Sequence, residues 1–478
     1  MTATSANNFD EMLNEDGSIR PAYADFCNWY DGQDKTWLKR QDAEAERFFR
    51  RIGITFNVYG DDAAEERLIP FDMIPRIITA REWRKLTRGI EQRVRALNAF
   101  LQDLYHRQEI IRSGRLPVEA LRNNDAFLTQ MTGFTPPGGV YTHIVGIDLV
   151  RTGPEEFMVL EDNARTPSGV SYMLENRETM MAMFPELFTK VPVRPVSDYP
   201  RRLARSLRAC APPAYKGGKQ PVVAVLTPGI FNSAYFEHAF LADQMGAELV
   251  EGKDLRVVDG RVAMRTTTGY KAIDVVYRRV DDEYLDPLTF NPNSILGVAG
   301  IMDVYRAGGI TIANAPGTGI ADDKAIYSYM PEIVEFYTGE KPILNNVPTY
   351  RCSEPDALAY VLDNLSDLVV KEVHGSGGYG MLIGPTSSKK ELAAFEAKLR
   401  AKPDNYIAQP TLSLSTVPIF KNAGLAPRHV DLRPFVLVSP DGIDITPGGL
   451  TRVALKKGSL VVNSSQGGGT KDTWVLDE

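Results

Sequence analysis

The side chains best suited to chemistry fall in separated stretches of the chain. In LVVKEVHGSGGYGMLIGP, 368–385, an apolar β-rich run ends on Lys371 and opens into a loop carrying Gly375, Gly377, Gly378 and Gly380. A second short apolar run follows. Glycines let backbone amides approach an anion, and a lysine at the loop's base adds a cation, so this hairpin is suited to covering nucleotide phosphates. A plain glycine-rich turn is the competing reading. The stretch is neither a GxxxxGK[ST] loop nor a dinucleotide fingerprint, since a strand and not a helix follows. Far upstream, IDLVRTGPEEFMVLEDNARTPSG, 147–169, reads as two strands joined near Gly153-Pro154. The side-chain period of two places Glu161 and Asn163 on one face, and the hairpin can bring Asp148 to it. Two carboxylates and an amide oxygen make a hard site suited to Mg2+ held with substrate phosphates. An ordinary acidic strand end is the alternative. The following loop offers Arg165 and the backbone around Ser168 and Gly169 to an anionic group. Near the C-terminus, Asp431 and Arg433 share a strand face, Arg452 lies on a later strand, and Asn463 precedes the run 467–469, another anion-compatible turn.

These residues need elements to position them. The chain has 478 residues, so two or three domains are expected. A net charge of −7 argues against binding dominated by neutralising nucleic-acid phosphates. Three widely spaced cysteines form no zinc or disulfide pattern and suggest a reducing compartment. No N-terminal signal pattern and no apolar run of about 18 residues is seen, so a cytoplasmic protein without a membrane span is expected.

Residues 1–50 read as polar helices whose aromatics dock on the body. The segment 53–60 reads as a strand and IPFDMIPRII, 69–78, as a proline-punctuated loop. A long amphipathic helix is predicted from Arg81 to Ile111, with Trp83, Leu86, Ile90, Val94, Leu97, Leu101 and Leu104 at helical steps. Its arginines, including Arg84, Arg88, Arg93 and Arg95, lie largely off that stripe and read as a solvated face. From about 201 strands and helices alternate, as in an open α/β domain whose ligands sit beyond the C-terminal strand ends. Arg278, Arg279 and the loop after Asn314 lie at such ends. SILGVAGIMDVYRAGG, 294–309, reads as a helix. Lys324 begins a helix after two aspartates, SKKELAAFEAKLRAK, 388–402, is a surface helix, and YIAQPTLSL, 406–414, is a strand running into a loop.

Taken together, these stretches resemble the ATP-grasp superfamily, which clamps ATP between two α+β lobes. ADDKAIY matches its first lysine, VVKEVHGSGGYG its second lysine and flexible loop, and YIAQPTL its hinge. DLR, LTRVA and NSSQGGG resemble the peptide and glutathione synthetases. The Asp, then E-x-N, then proline and glycine of 147–169 resemble the metal set of D-alanine–D-alanine ligases, with one extra residue before the proline and the glycine two after it. The order is rotated, because the metal hairpin precedes both lysines. The chain resembles, nearly end to end, the circularly permuted ATP-grasp type 2 family, with LEDNARTPSGVSYMLENR, DVVYRRVDDEYLDPL, ANAPGTGIADDKA and VNSSQGGGTKDTWVL carrying the match.

The resemblance implies an α/β (α+β) fold: an N-terminal helical region plus a permuted lobe (1–190), a pre-ATP-grasp-like α/β domain (200–318), and an ATP-binding lobe that returns into the catalytic lobe (319–478). It implies a ligase joining a small-molecule carboxylate to an amine or peptide acceptor through an acyl phosphate, with ATP and one or two Mg2+ ions. Members are described as glutathionylspermidine synthase-like or as carboxylate–amine ligases. A nucleotide-binding scaffold without turnover, or a phosphotransferase, is the alternative. By the same resemblance Asp148, Glu161 and Asn163 hold metal, and Lys324 and Lys371 neutralise phosphate charge. His374, Gly375, Ser376, Gly377, Gly378 and Gly380 cover the phosphates, and Gln409 borders the adenine. Arg433, Arg452 and Asn463 serve the transferred group, while Arg165, Ser168, Gly169, Arg278 and Arg279 face the acyl substrate.

Overall fold

The computed structural model describes residues 8–53, 55–57, 66–122, 124–373, 380–421, 424–460, 462 and 467–478. Its largest sheet has ten strands drawn from both halves of the chain. The first half supplies β1 (Phe71–Ile78), β2 (Ile144–Arg151) and β3 (Phe157–Asn163). An all-parallel sheet follows, built from β4 (Val223–Leu226), β5 (Glu248–Val250), β6 (Val275–Arg278) and β7 (Thr311–Ala313), in the order β7-β6-β4-β5. The short strand β8 (Asn345–Asn346) pairs parallel with β3. A small antiparallel sheet then combines β9 (Tyr350–Arg351), β10 (Leu368–Glu372), β11 (Leu382–Ile383) and β12 (Tyr406–Pro410) in the order β9-β12-β10-β11. The last stretch returns to the large sheet as β13 (Thr416–Lys421), β14 (Gly424–Arg433), β15 (Phe435–Ser439), β16 (Gly442–Ile445), β17 (Leu450–Val453) and β18 (Gly469–Val475). The large sheet's main order is β8-β3-β2-β14-β17-β18-β1, with β13 on β14 and β15 on both β2 and β16. Strand β2 is buried along its whole length, as a central strand covered on both faces must be.

Helix α1 (Ala80–Leu104) packs the predicted apolar stripe into the core and starts at a capping box, in which Glu82 and Thr79 satisfy each other's backbone N–H groups. The helix stops short of the expected Ile111. Gln108 takes the left-handed conformation, and a separate turn of helix (Glu109–Arg112) is capped by Asp103, which accepts from Glu109 N at 2.9 Å and Ile110 N at 3.0 Å. Two further expectations change. The 69–78 segment is the edge strand β1, parallel to β18; Pro75 is tolerated there because the register shifts beside it, where no ladder donor is needed. Within 294–309 only Ile301–Arg306 is helical. Asp286 reaches across to cap that turn, accepting from Gly300 N and Met302 N at 3.0 Å each.

Helix α2 (Val170–Met183) follows the RTPSG loop and runs beneath β17 and β18. Helix α3 (Tyr199–Ala209) and helix α4 (Tyr235–Met245) pack on the parallel sheet. The short helix α5 (Lys324–Tyr327) begins at Lys324. Among the described residues no helix is long and apolar enough to cross a membrane.

Gly169 joins the RTPSG loop to α2 at φ +111°, and a Cβ there would lie 2.7 Å from Leu450 Cδ2. Gly169→Ala should therefore destabilise the protein by roughly 1–3 kcal/mol through backbone strain alone, with more from the clash. A melting temperature equal to that of the wild type would refute this account of the loop.

Candidate functional site

Four adjacent strands of the large sheet bring the candidate residues together. On the β2–β3 hairpin Asp148 stands opposite Glu161, and Gly146 opposite Asn163, so all three predicted side chains share one face. On β14 and β17, Asp431 stands opposite Arg452, and Leu432 links β14 to Leu149 of β2. Asp148 is fully buried and receives both arginines. Arg433 grips it with Nε and Nη2, the latter at 2.8 Å, and Arg452 Nη2 donates to it at 2.6 Å. Arg452 Nε also donates to both oxygens of Asp431 at 3.0 Å. Gly146 makes room for this arrangement: a Cβ there would lie 3.1 Å from Arg433 Cδ.

The charges divide the two facing carboxylates. Burial alone would raise Asp148, but the Arg433 and Arg452 guanidiniums outweigh it and hold the carboxyl well below its usual range. Glu161 is pushed up, first by burial and then by the Asp148 charge, against Lys324, Lys371 and Arg433. Glu161 shares a hydrogen bond with Asp148. Lys371, on β10, is drawn down to about 8 by burial, with Lys324 also lowering it and Glu161 opposing. Both lysines therefore act on the same carboxylate, although one begins α5 and the other ends a strand of the small sheet. Lys371 Nζ donates to Gln409 Oε1 at 2.8 Å, and Gln409 Nε2 to Thr349 Oγ1 at 3.0 Å. Gly380 lies at φ +69° beside the Glu372 carboxylate. His374, Gly375, Ser376, Gly377, Gly378 and Asn463 lie outside the described residues.

A divalent cation fits this donor set. Asp148 and Glu161 stand opposite each other on neighbouring strands, and the Asn163 Nδ2 is buried with no hydrogen-bond partner among the described residues. An amide turned about its last bond would present oxygen instead. Asp148 already accepts three guanidinium hydrogen bonds and so anchors the arginines, which leaves Glu161 and Asn163 with more donor capacity for a cation. Among the described residues no trio of His, Cys, Asp and Glu forms a metal centre.

The substrate-side candidates separate. Arg165 is partly open to solvent, with Asp281 at 3.5 Å and Asp322 at 3.7 Å. The carbonyl of Ser168 accepts from Arg433 Nη1 at 3.1 Å. The Gly169 N–H is taken by the buried Glu237 of α4 at 2.8 Å, which also receives Ser171 N at 3.0 Å. Arg279 is buried against the loop, donating to the Pro167 carbonyl at 2.6 Å and to the Tyr277 hydroxyl at 3.1 Å. Arg278 is turned inward. It is fully buried, and its guanidinium is consumed by the carbonyls of Asn314, Val280 and Ala315 and by Asp282. A strand-end arginine in the sequence does not reveal that the next loop folds back over it.

Three residues escaped the sequence reading. Arg93 is not on a solvated face: it is buried and forms a bidentate pair with Asp162, both contacts at 2.6 Å, and so fixes the residue between Glu161 and Asn163 from the opposite face of β3. Asp322 and Asn314 hold the backbone just after Asn163. The available signal for Arg93 was its place beside Val94 at the margin of the apolar stripe.

Asp148→Asn removes the charge that neutralises two buried guanidiniums and should cost roughly 3–5 kcal/mol. Glu161→Gln has the opposite sign. A carboxyl whose pKa is raised in the folded state loses stability as pH rises through that pKa, so at neutral pH the amide should match or exceed wild-type stability. Urea unfolding of both variants would expose an error if Glu161→Gln proved the more damaging.

Comparison with known proteins agrees with this geometry. Residues 75–454 match the family described as circularly permuted ATP-grasp type 2. An uncharacterised protein of Synechocystis sp. is 52% identical over 470 residues, covering 98% of this chain and 97% of that one. A Frankia alni protein provisionally named glutamate–cysteine ligase 2-3 is 43% identical over 471 residues, covering 98% of this chain and 54% of its own length. Among solved structures, a glutathione synthetase-like effector from Globodera pallida, in apo form, superposes with a TM-score of 0.59 at 11% identity, over 93% of this chain and 98% of that one, a likeness of fold. With most of its length matched and the two lysines meeting the upstream hairpin, the chain belongs to the circularly permuted ATP-grasp type 2 family.

Proposed function

We propose that the protein is an ATP-dependent carboxylate–amine ligase working through an acyl phosphate. The observation that carries this reading is the meeting of Lys324, Lys371, Arg433 and Arg452 around the Asp148–Glu161 pair. Such a surplus of fixed positive charge beside oxygen ligands suits a triphosphate. Family membership supports ATP as the nucleotide, and the name of the Frankia relative, borne by a protein nearly twice as long, supports a ligase.

In this reading a substrate carboxylate oxygen attacks the γ-phosphorus, the bond to the β-phosphate oxygen breaks, and ADP leaves. An amine then attacks the acyl carbon, the C–O bond to phosphate breaks, and the nitrogen gives up a proton. Such transfers ask the protein for alignment and charge neutralisation. Lys324 and Lys371 neutralise phosphate charge, and Gln409, oriented by Lys371, borders the base. Arg433 and Arg452 oppose the negative charge on the transferred group. Arg165 and the Ser168–Gly169 turn face the acyl substrate. Mg2+, when bound, would supply further neutralisation of phosphate charge, and Asp148, Glu161 and Asn163 are the residues that would hold it. The free, buried thiols of Cys27, Cys210 and Cys352 fit a reducing compartment, and we place the protein in the cytoplasm acting on small molecules.

Incubation with ATP, Mg2+, hydroxylamine and a panel of amino acids, short peptides and other carboxylates tests the reading. Acyl hydroxamate with ADP supports it. A stable phosphorylated product would make the protein a phosphotransferase, and no turnover with any acid would leave a nucleotide-binding scaffold. Glu161→Gln should lower turnover at least roughly a hundredfold while the fold stays intact.

Lys371 also sets a pH dependence. With its ammonium drawn down to about 8, the free lysine is largely neutral at pH 9, and phosphate contact favours the charged form. ATP binding should therefore take up a proton at that pH, and affinity should fall as pH rises through about 8. Calorimetry in buffers of different ionisation enthalpy measures this uptake. The same uptake in Lys371→Met would show that another group is responsible.

A further inference from the structure

The backbone of the two residues after Asn163 is held from one segment of the chain, 314–322. Asp322 Oδ1 accepts from the Ala164 N–H and from the Arg165 N–H, the latter at 3.2 Å. Asn314 Nδ2 donates its two hydrogens to the Ile144 carbonyl at 2.7 Å and the Ala164 carbonyl at 2.8 Å, with the Arg165 carbonyl a weaker third acceptor at 3.2 Å. The Ala164 N–H and carbonyl and the Arg165 N–H are thus engaged. Asn314 is itself fixed: its Oδ1 accepts from His143 N at 2.6 Å and Ile144 N at 2.8 Å, at the start of β2. Arg278 in turn holds the Asn314 carbonyl at 2.7 Å and the Ala315 carbonyl at 3.1 Å. At its other end the segment runs directly into Asp323, which caps α5, and Lys324.

We propose that Asn314 and Asp322 are positioning residues that lock the Glu161–Asn163 ligand strand to the Lys324 helix, so that metal ligands and phosphate-binding lysine are set at one spacing. The inference rests on the functional reading above. Neither side chain touches a reacting atom; both act through the backbone of Ala164 and Arg165. Without them the two residues between β3 and the Pro167–Gly169 turn lose these backbone ties, while β3 itself stays paired to β2 and the turn stays held by Arg279, Arg433 and Glu237. Outer-sphere groups of this kind commonly tune metal affinity by one to two orders of magnitude. Arg278 becomes the support of the latch, which accounts for a fully buried arginine at a strand end where a ligand contact was expected.

The test uses the full chain. Hydrogen exchange of peptides spanning 160–170 in the ligand-free protein reports the latch directly, and Asp322→Ala should speed exchange there while β14 and β17 stay protected. Mg2+ titration of ATP binding, followed by calorimetry, reports its consequence. Asp322→Ala should raise the Mg2+ concentration for half-maximal binding roughly tenfold or more, and Asp322→Asn, which keeps an oxygen acceptor, should recover most of the loss. Asn314→Ala combined with Asp322→Ala should be non-additive, because both act on the same two residues. A lowered melting temperature with an unchanged Mg2+ midpoint would reduce the pair to a structural role and overturn the proposal, as would unchanged exchange at 160–170. If the wild type itself binds no ATP, the functional reading fails, and the exchange experiment still decides whether the latch exists.

Discussion

In the middle of the ten-stranded sheet the carboxylate of Asp148, removed from water, is gripped by guanidiniums from two neighbouring strands, and one of these also holds Asp431. Taking four charged groups out of water costs several kcal/mol per ion, and a well-packed apolar cluster could fill the same volume without that cost. The network thus contributes little net stability for what it demands. What it does is order strands: β2 to β14 and β17, and thereby the early hairpin to the late strands, with each arginine in one orientation. It also sets the charge on Glu161. With Asp148 fixed as an anion, the facing carboxylate resists ionisation, and Lys324, Lys371 and Arg433, the last with Nη2 at 3.9 Å, oppose that resistance.

This dependence explains why the rotated chain order is tolerated. The site needs β2, β3, β14 and β17 side by side, with β10 and α5 delivering lysines from the edge. Sheet pairing does not depend on which of these strands is synthesised first. The parallel sheet and its helices, which fall between them in the chain, direct their buried candidate side chains to neighbouring backbone. Arg278 is spent on holding the 314–315 backbone, Glu237 on the N-terminus of α2, and Arg279 on the RTPSG loop. Its role at the site is to brace the loops, and Arg165 is left as the guanidinium with part of its surface in solvent.

Much of the site was legible because its signals are local. The period-two face of Glu161 and Asn163, the hairpin turn near Gly153, the lysine at the end of a buried strand and the aspartate cap before Lys324 each depend on a few neighbouring residues. The errors arose where a distant partner decided. Pro75 reads as a loop former, yet β18 offers an edge with a register shift that accommodates it. Arg93 reads as solvated because most helix arginines are, yet Asp162 meets it on the buried side. The predicted helix over 294–309 shrank because Asp286 caps a later start.

The sequence by itself determined the chemical inventory, the elements that carry it and the rotated order in which they occur, because residue type, alternation and capping are short-range properties. Only the tertiary structure decided how each charge is used. Asp148 looks like a metal ligand and also neutralises two arginines; Arg278 looks like a substrate contact and holds a loop; Asn314 and Asp322 sit inside a matched stretch with no role of their own legible there, and both hydrogen-bond the backbone just after Asn163. A side chain's charge is written in its identity, but its energy and its task depend on which groups share its low-dielectric surroundings, and those groups lie hundreds of residues apart in the chain.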